Sequence, residues 1–237
     1  MSVDDILELL KSKGNPKTVA IYSRHGLPAD RTFGVSNADL KTIAKTIKGQ
    51  QELAYALYAS GNVDAMYLAG IIVDGGKMSR EQLRTWAIEA SGLPMIAEYT
   101  VPWAALDNPL AQELALEWIH SDGEQIESSG WCTYSGIVAT VPDYKLDLGE
   151  IESLLKMTVN HMSGAKNRVR ANMNGFVISV GTYVLPLLRL AKEAAEQIGV
   201  IEVDMGDTAC KVRMASEYIV KVEASGKLGN KRKTIRC

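Results

Sequence analysis

Forty consecutive residues, Ser153 to Lys192, contain no Asp or Glu, in a chain that carries 28 of them against 26 Lys and Arg. Lys156, Lys166, Arg168, Arg170, Arg189 and Lys192 fall inside that gap, so a positive local field is expected in a slightly acidic chain, a field that suits phosphate. Thiols are scarce. Cys132, Cys210 and Cys237 lie too far apart for a CxxC pair, and their odd number argues against a disulfide framework. His25, His120 and His161 are isolated, with no HExxH spacing, so no metal site is expected. The GxxxxGK step that cradles a nucleotide phosphate is missing, and neither nucleotide hydrolysis nor a nucleotide cofactor is suggested. No apolar run reaches the roughly 18–20 residues that span a bilayer. The N-terminal MSVDDILELLKSKG puts acids where a signal peptide carries positive charge. A soluble, cytoplasmic protein with no membrane partner and no cofactor is expected.

Period-2 alternation is also nearly missing, Gly199–Asp204 being the one candidate strand, and what remains reads as helix after helix. Val3, Ile6, Leu9 and Leu10 have helical spacing behind Asp4 and Asp5, which complement the helix dipole. Asn15-Pro16 opens a second helix with a cap and a first-turn proline, and Ser36 with Asp39 forms a capping-box variant ahead of Asn37–Ile47. Further helices are predicted over Gln51–Ala59, Val63–Val73, Ser79–Ala90, Pro94–Ala105, Pro109–His120, Gly123–Thr140, Leu148–Met162 and Ala165–Gln197, the last divided near Gly181 or Pro186. A series of short helices joined by short turns fits an all-α, HEAT-like helical-repeat solenoid, an α-α superhelix, with an irregular orthogonal bundle as the alternative. The repeat domain is placed at 1–223 and a basic C-terminal tail at 224–237.

Two stretches concentrate the positive charge. KNRVRANMNGFVISVGTYVLP, Lys166–Pro186, begins with cations and amides and ends apolar, and a helix starting near Asn167 would point free N–H groups and cations at one phosphate. The alternative is that these cations bond to acids of a neighbouring helix. The tail KLGNKRKTIRC carries five cations and no acid, and reads either as a solvated segment or as a nucleic-acid contact. Trp86, Trp103, Trp118 and Trp131 read as core.

TFGVSNADLKTIAKTI at Thr32–Ile47, WIHSD at Trp118–Asp122 and the Gly175-Phe176-Val177 step resemble the AlkD-like family of DNA alkylation repair proteins, over about residues 20 to 190. The resemblance implies HEAT-like repeats holding duplex DNA, alkylated at purines, against a basic concave face, and a monomer is expected. It also implies N-glycosylase activity, the excision of cationic N3- or N7-alkylated purines such as 3-methyladenine and 7-methylguanine. Such a base already carries charge and leaves readily, so one carboxylate that stabilises the oxocarbenium sugar and positions water suffices. The family's catalytic aspartate is matched by Glu98 in PMIAEYTVP, with Pro94 where the family has tryptophan and Tyr99 and Trp103 near enough in sequence to offer an aromatic face. The family's second aromatic is matched by Phe176. Its DNA-clamping arginine falls on Ser128, between the acids of DGEQIESSGWC and Trp131, so DNA affinity would rest on Lys166, Arg168, Arg170 and Asn172 and on Lys231, Arg232 and Lys233 of the tail. With clamp and tryptophan replaced, the second reading is a non-catalytic HEAT-repeat protein that binds DNA or a protein partner.

Overall fold

Side-chain caps decide where many of the helices begin. Ser2, Ser36 and Ser79 each accept the N–H of the residue three positions on, and Asn15, Asn62 and Asp147 do the same through a side-chain oxygen two or three positions on. Each such cap stabilises its helix by about 1 kcal/mol. The structure, a computed structural model, describes residues 1–236, and Cys237 lies outside them. Among the described residues there are thirteen α-helices and no strand. They are α1 (Val3–Ser12), α2 (Pro16–Arg24), α3 (Asn37–Thr46), α4 (Gln51–Ala59), α5 (Val63–Ile72), α6 (Arg80–Glu89), α7 (Val101–Leu106), α8 (Ala111–Ile119), α9 (Glu124–Thr140), α10 (Leu148–His161), α11 (Asn167–Tyr183), α12 (Leu188–Ile198) and α13 (Ala215–Ala224). No single helix among the described residues is long and apolar enough to cross a membrane.

The chain gathers into two compact units. The first holds Met1–Leu110, Met205–Ala209 and Arg236. Its polar centre is Asp64 on α5, wholly buried, whose carboxylate accepts the Thr32 hydroxyl at 2.9 Å and the backbone N–H groups of Phe33 at 2.6 Å, Gly34 at 3.2 Å and Val35 at 3.0 Å. The TFGV stretch is thus a loop wrapped on a carboxylate. Tyr58 of α4 stacks on Trp86 of α6 with ring centroids 3.9 Å apart, and its hydroxyl donates to the Trp86 carbonyl at 2.6 Å. Gly75 lets the turn before α6 lie directly on α7, because a Cβ there would stand 1.9 Å from the Ala104 carbonyl oxygen. Arg236 donates to Asp107 at 2.6 Å in this unit.

The second unit holds Ala111–Asp204 and Cys210–Ile235. α8 and α9 close on each other at Gly130, where a Cβ would stand 2.5 Å from the Ile119 nitrogen. α9 packs on α11 through Trp131, Tyr134 and Phe176, with centroids 5.3 and 5.8 Å from the phenylalanine ring. The long predicted helix breaks at Pro186 rather than at Gly181, which stays inside α11, and the two halves bend by 112°. Gly199–Asp204 forms no strand; instead Asn167 bonds both backbone groups of Asp204, at 2.7 and 2.8 Å. The segment expected as a tail is tied to this unit by Gly229 N–H to the Thr182 carbonyl and Arg232 N–H to the Ala139 carbonyl, both at 2.8 Å.

Candidate nucleic-acid interface

The start of α11 presents free N–H groups, as its cation-and-amide sequence requires, and the protein fills that place itself. Glu124 of α9 accepts the Arg168 N–H at 2.8 Å, and Glu127 one turn on lies 3.6 Å from the Lys166 ammonium. Burial pushes the Glu127 carboxyl up, while Lys166 and the Trp131 indole pull it down. The two acids that set the charge of the α9 start are therefore the anions at the α11 start. Of the two alternatives for this helix start, bonding to acids of a neighbouring helix is realised for Lys166 and for the Arg168 backbone. Replacing Glu124 with alanine is expected to cost about 1 kcal/mol, the value of a lost cap, read as a lower urea midpoint.

The same holds along the acid-free stretch. Lys156 pairs with Glu152 at 2.8 Å and Arg189 with Glu193 at 2.5 Å, the acids that flank the gap, and Lys192 pairs with Glu223 of α13 at 2.7 Å. These pairs are exposed and add little stability, yet they lower the local field. The asparagines of α11 serve the fold: Asn172 accepts the Cys132 thiol at 3.3 Å, and Asn174 donates to the Arg213 carbonyl at 2.9 Å. Arg168 and Arg170 are both half-buried.

Two expectations for the lesion site need correction. Phe176 is 0% exposed, enclosed by Trp131 and Tyr134, so its ring offers no face to a base or sugar. Trp103, at 2% exposure, is packed against Tyr67 with centroids 5.0 Å apart, and is core rather than an aromatic contact. Ser128, at the clamp's position, is 1% exposed inside α9, so no side chain there reaches a phosphate.

Glu98 stands differently. It lies half-buried on a π-helical turn, Ile96–Thr100, whose closing bond runs from the Val101 N–H to the Ile96 carbonyl. The cause is Pro102. An α-helical residue there would donate to the Glu98 carbonyl, and proline has no N–H and collides with that oxygen, so the turn widens by one residue. Tyr99, on the same turn, is 48% exposed and inclined at 60° to Trp103. The first unit thus leaves one accessible aromatic, Tyr99, next to Glu98 in sequence.

In the tail, Lys231 pairs with Asp143 at 2.8 Å and donates to the Val138 carbonyl at 2.8 Å, while the Arg232 and Lys233 side chains are exposed. Sequence reasoning missed α13 altogether. Its signal is Ala215, Ile219 and Val222 at helical spacing, embedded in a stretch rich in charge.

The family model described as DNA alkylation repair enzyme matches residues 6–219. The chain belongs to that family. Within the DNA alkylation repair enzyme family, it is 32% identical to an uncharacterized protein of Listeria monocytogenes serovar 1/2a, over 93% of this chain and 97% of the relative. An uncharacterized protein of Listeria innocua serovar 6a is 31% identical over the same shares. A solved structure, described as a new family of proteins related to the HEAT-like repeat DNA glycosylases with affinity for branched DNA structures, matches with a TM-score of 0.92 and 34% identity, covering 100% of both chains. The HEAT-like repeat fold expected from sequence is the fold of this family member.

Proposed function

We propose that this protein binds DNA through its backbone, at branched structures in particular, and does not excise alkylated bases. Support for the DNA comes from the family and from the branched-DNA affinity of the 34%-identical solved relative. The absence of excision rests on one observation, the burial of Phe176 at 0% exposure. Aromatic faces on the charged base and sugar add about 0.5–2 kcal/mol each to an excising site, and Phe176 supplies none. Phosphate contacts fix register on DNA without reading sequence, which suits a ligand defined by its shape. In such a protein the cytoplasm, where DNA is unenclosed in bacteria, is the fitting compartment.

A second reading keeps the glycosylase, with Glu98 as the carboxylate and the exposed Tyr99 as its aromatic. It draws on their shared π-helical turn. Both readings meet one experiment, release of 7-methylguanine and 3-methyladenine from alkylated duplex DNA alongside binding to a four-way junction. We expect tight junction binding and no release above background by the wild type or by Glu98→Gln. Release by the wild type that is lost in Glu98→Gln would establish the second reading.

A further inference from the structure

α13 has two faces with different tasks. Ala215, Ser216 and Ile219 are buried, and Ile219 packs against Gly181 of α11 so closely that a Cβ there would stand 2.5 Å from its Cδ1. The other face opens on a groove of about 600 Å³ whose floor is Met214, Tyr218 and Val222, at helical spacing, with Arg213, Lys221 and Lys227 along it. Glu217 is its one acid.

Charge singles this groove out. From Cys210 to Ile235 there are seven Lys and Arg against two Glu, in a chain of net charge −2. One of the two acids, Glu223, is paired with Lys192, and one of the cations, Lys231, is paired with Asp143. Among the described residues, Arg213, Lys221 and Lys227 have no such ion pair, in contrast to Lys156, Lys166, Arg189 and Lys192. Arg213 is also held in place. Its carbonyl accepts the buried Asn174 amide at 2.9 Å, and its guanidinium lies 5.2 Å from the centre of the Tyr218 ring. A guanidinium stacked on an aromatic keeps its donor edge available to an anion.

We infer that this groove carries the sugar-phosphate backbone of a DNA strand, with Arg213, Lys221 and Lys227 on its phosphates. Lys221 stands six positions beyond Ala215, the first residue of α13, about 9 Å along a helix of 1.5 Å rise per residue, and Arg213 lies two residues before that start. That separation exceeds one phosphate and fits a chain of them. The apolar floor of Met214, Tyr218 and Val222 accommodates the sugars between the charges.

The inference rests on the DNA-binding reading, and one experiment separates the two. Binding to a labelled four-way DNA junction is measured by anisotropy over a series of salt concentrations. The proteins are the wild type, Arg213→Ala/Lys221→Ala/Lys227→Ala, and a charge-matched control, Lys17→Ala/Lys41→Ala/Lys45→Ala, taken from exposed positions of the first unit. Each phosphate contact contributes about 0.9 to the slope of log K against log salt. The groove variant is expected to lose about 2–3 in slope and at least tenfold in affinity at low salt, the control much less, with thermal unfolding of all three alike. Arg213→Lys, which keeps charge and loses the stacked fork, should fall between. A groove variant with wild-type slope and affinity overturns the inference while the DNA reading stands. A wild type that binds no DNA overturns both.

Discussion

Asp64→Ala is expected to lose about 3–5 kcal/mol of folding stability, the cost of stripping one partner from a buried, hydrogen-bonded charge. The carboxylate accepts from three consecutive backbone N–H groups and the Thr32 hydroxyl, and the Gly34 and Val35 donors are buried with it. Removing it leaves the buried Val35 N–H without its acceptor and the Gly34 N–H with only the Thr32 hydroxyl oxygen at 3.0 Å. Asp64→Asn keeps an acceptor oxygen but loses the charge that serves four donors, and should fall between alanine and wild type. Urea unfolding would show a lowered midpoint at an unchanged slope. A midpoint shift under 1 kcal/mol for Asp64→Ala would mean that the loop closes on α5 by other means.

Phe176→Ala is the second large effect, about 3–5 kcal/mol, because a buried phenylalanine reduced to a methyl leaves a cavity between Trp131 and Tyr134. Phe176→Leu refills most of it and should cost no more than about 1.5 kcal/mol. The pair separates a core role from a ligand-facing one. If the ring only packs, junction binding by Phe176→Leu stays within about twofold of wild type. A tenfold loss of binding in this well-folded variant would show that the ring reaches the DNA after all.

Much of the fold was readable because helix boundaries in this chain are written locally. Asn15-Pro16 and Ser36 with Asp39 are signals within four residues, and each marks a helix start in the structure. Pro186 marked the break after α11 for the same reason. Gly199–Asp204 misled because its alternation is real and a strand also needs a neighbour, which it lacks among the described residues. α13 went unseen because its apolar stripe is short and its charges resemble those of a solvated tail.

The site was legible only in part, since it depends on contacts between distant residues. Lys166 and Arg168 advertise an anion, but nothing near them in sequence says that Glu124 and Glu127, some forty positions earlier, already occupy the place. Phe176 was expected at the site because it matches the family's second aromatic, while its burial comes from Trp131 and Tyr134 on another helix. Lys231 carries the same formal charge as Lys227, and only the position of Asp143 makes one of them structural.

The widened turn at Ile96–Thr100 has a consequence for how this protein can change. Inserting or deleting one residue in a helix shifts its phase by about 100°, and Pro102 favours the inserted state, whose residues Ile96, Ala97, Thr100 and Val101 are packed in the core. A deletion there, coupled with loss of the proline, would swing Glu98 and Tyr99 to another side of the chain while the packing before and after the turn kept its own residues. Chain length, as much as side-chain identity, thereby sets which way the acidic group of this unit faces.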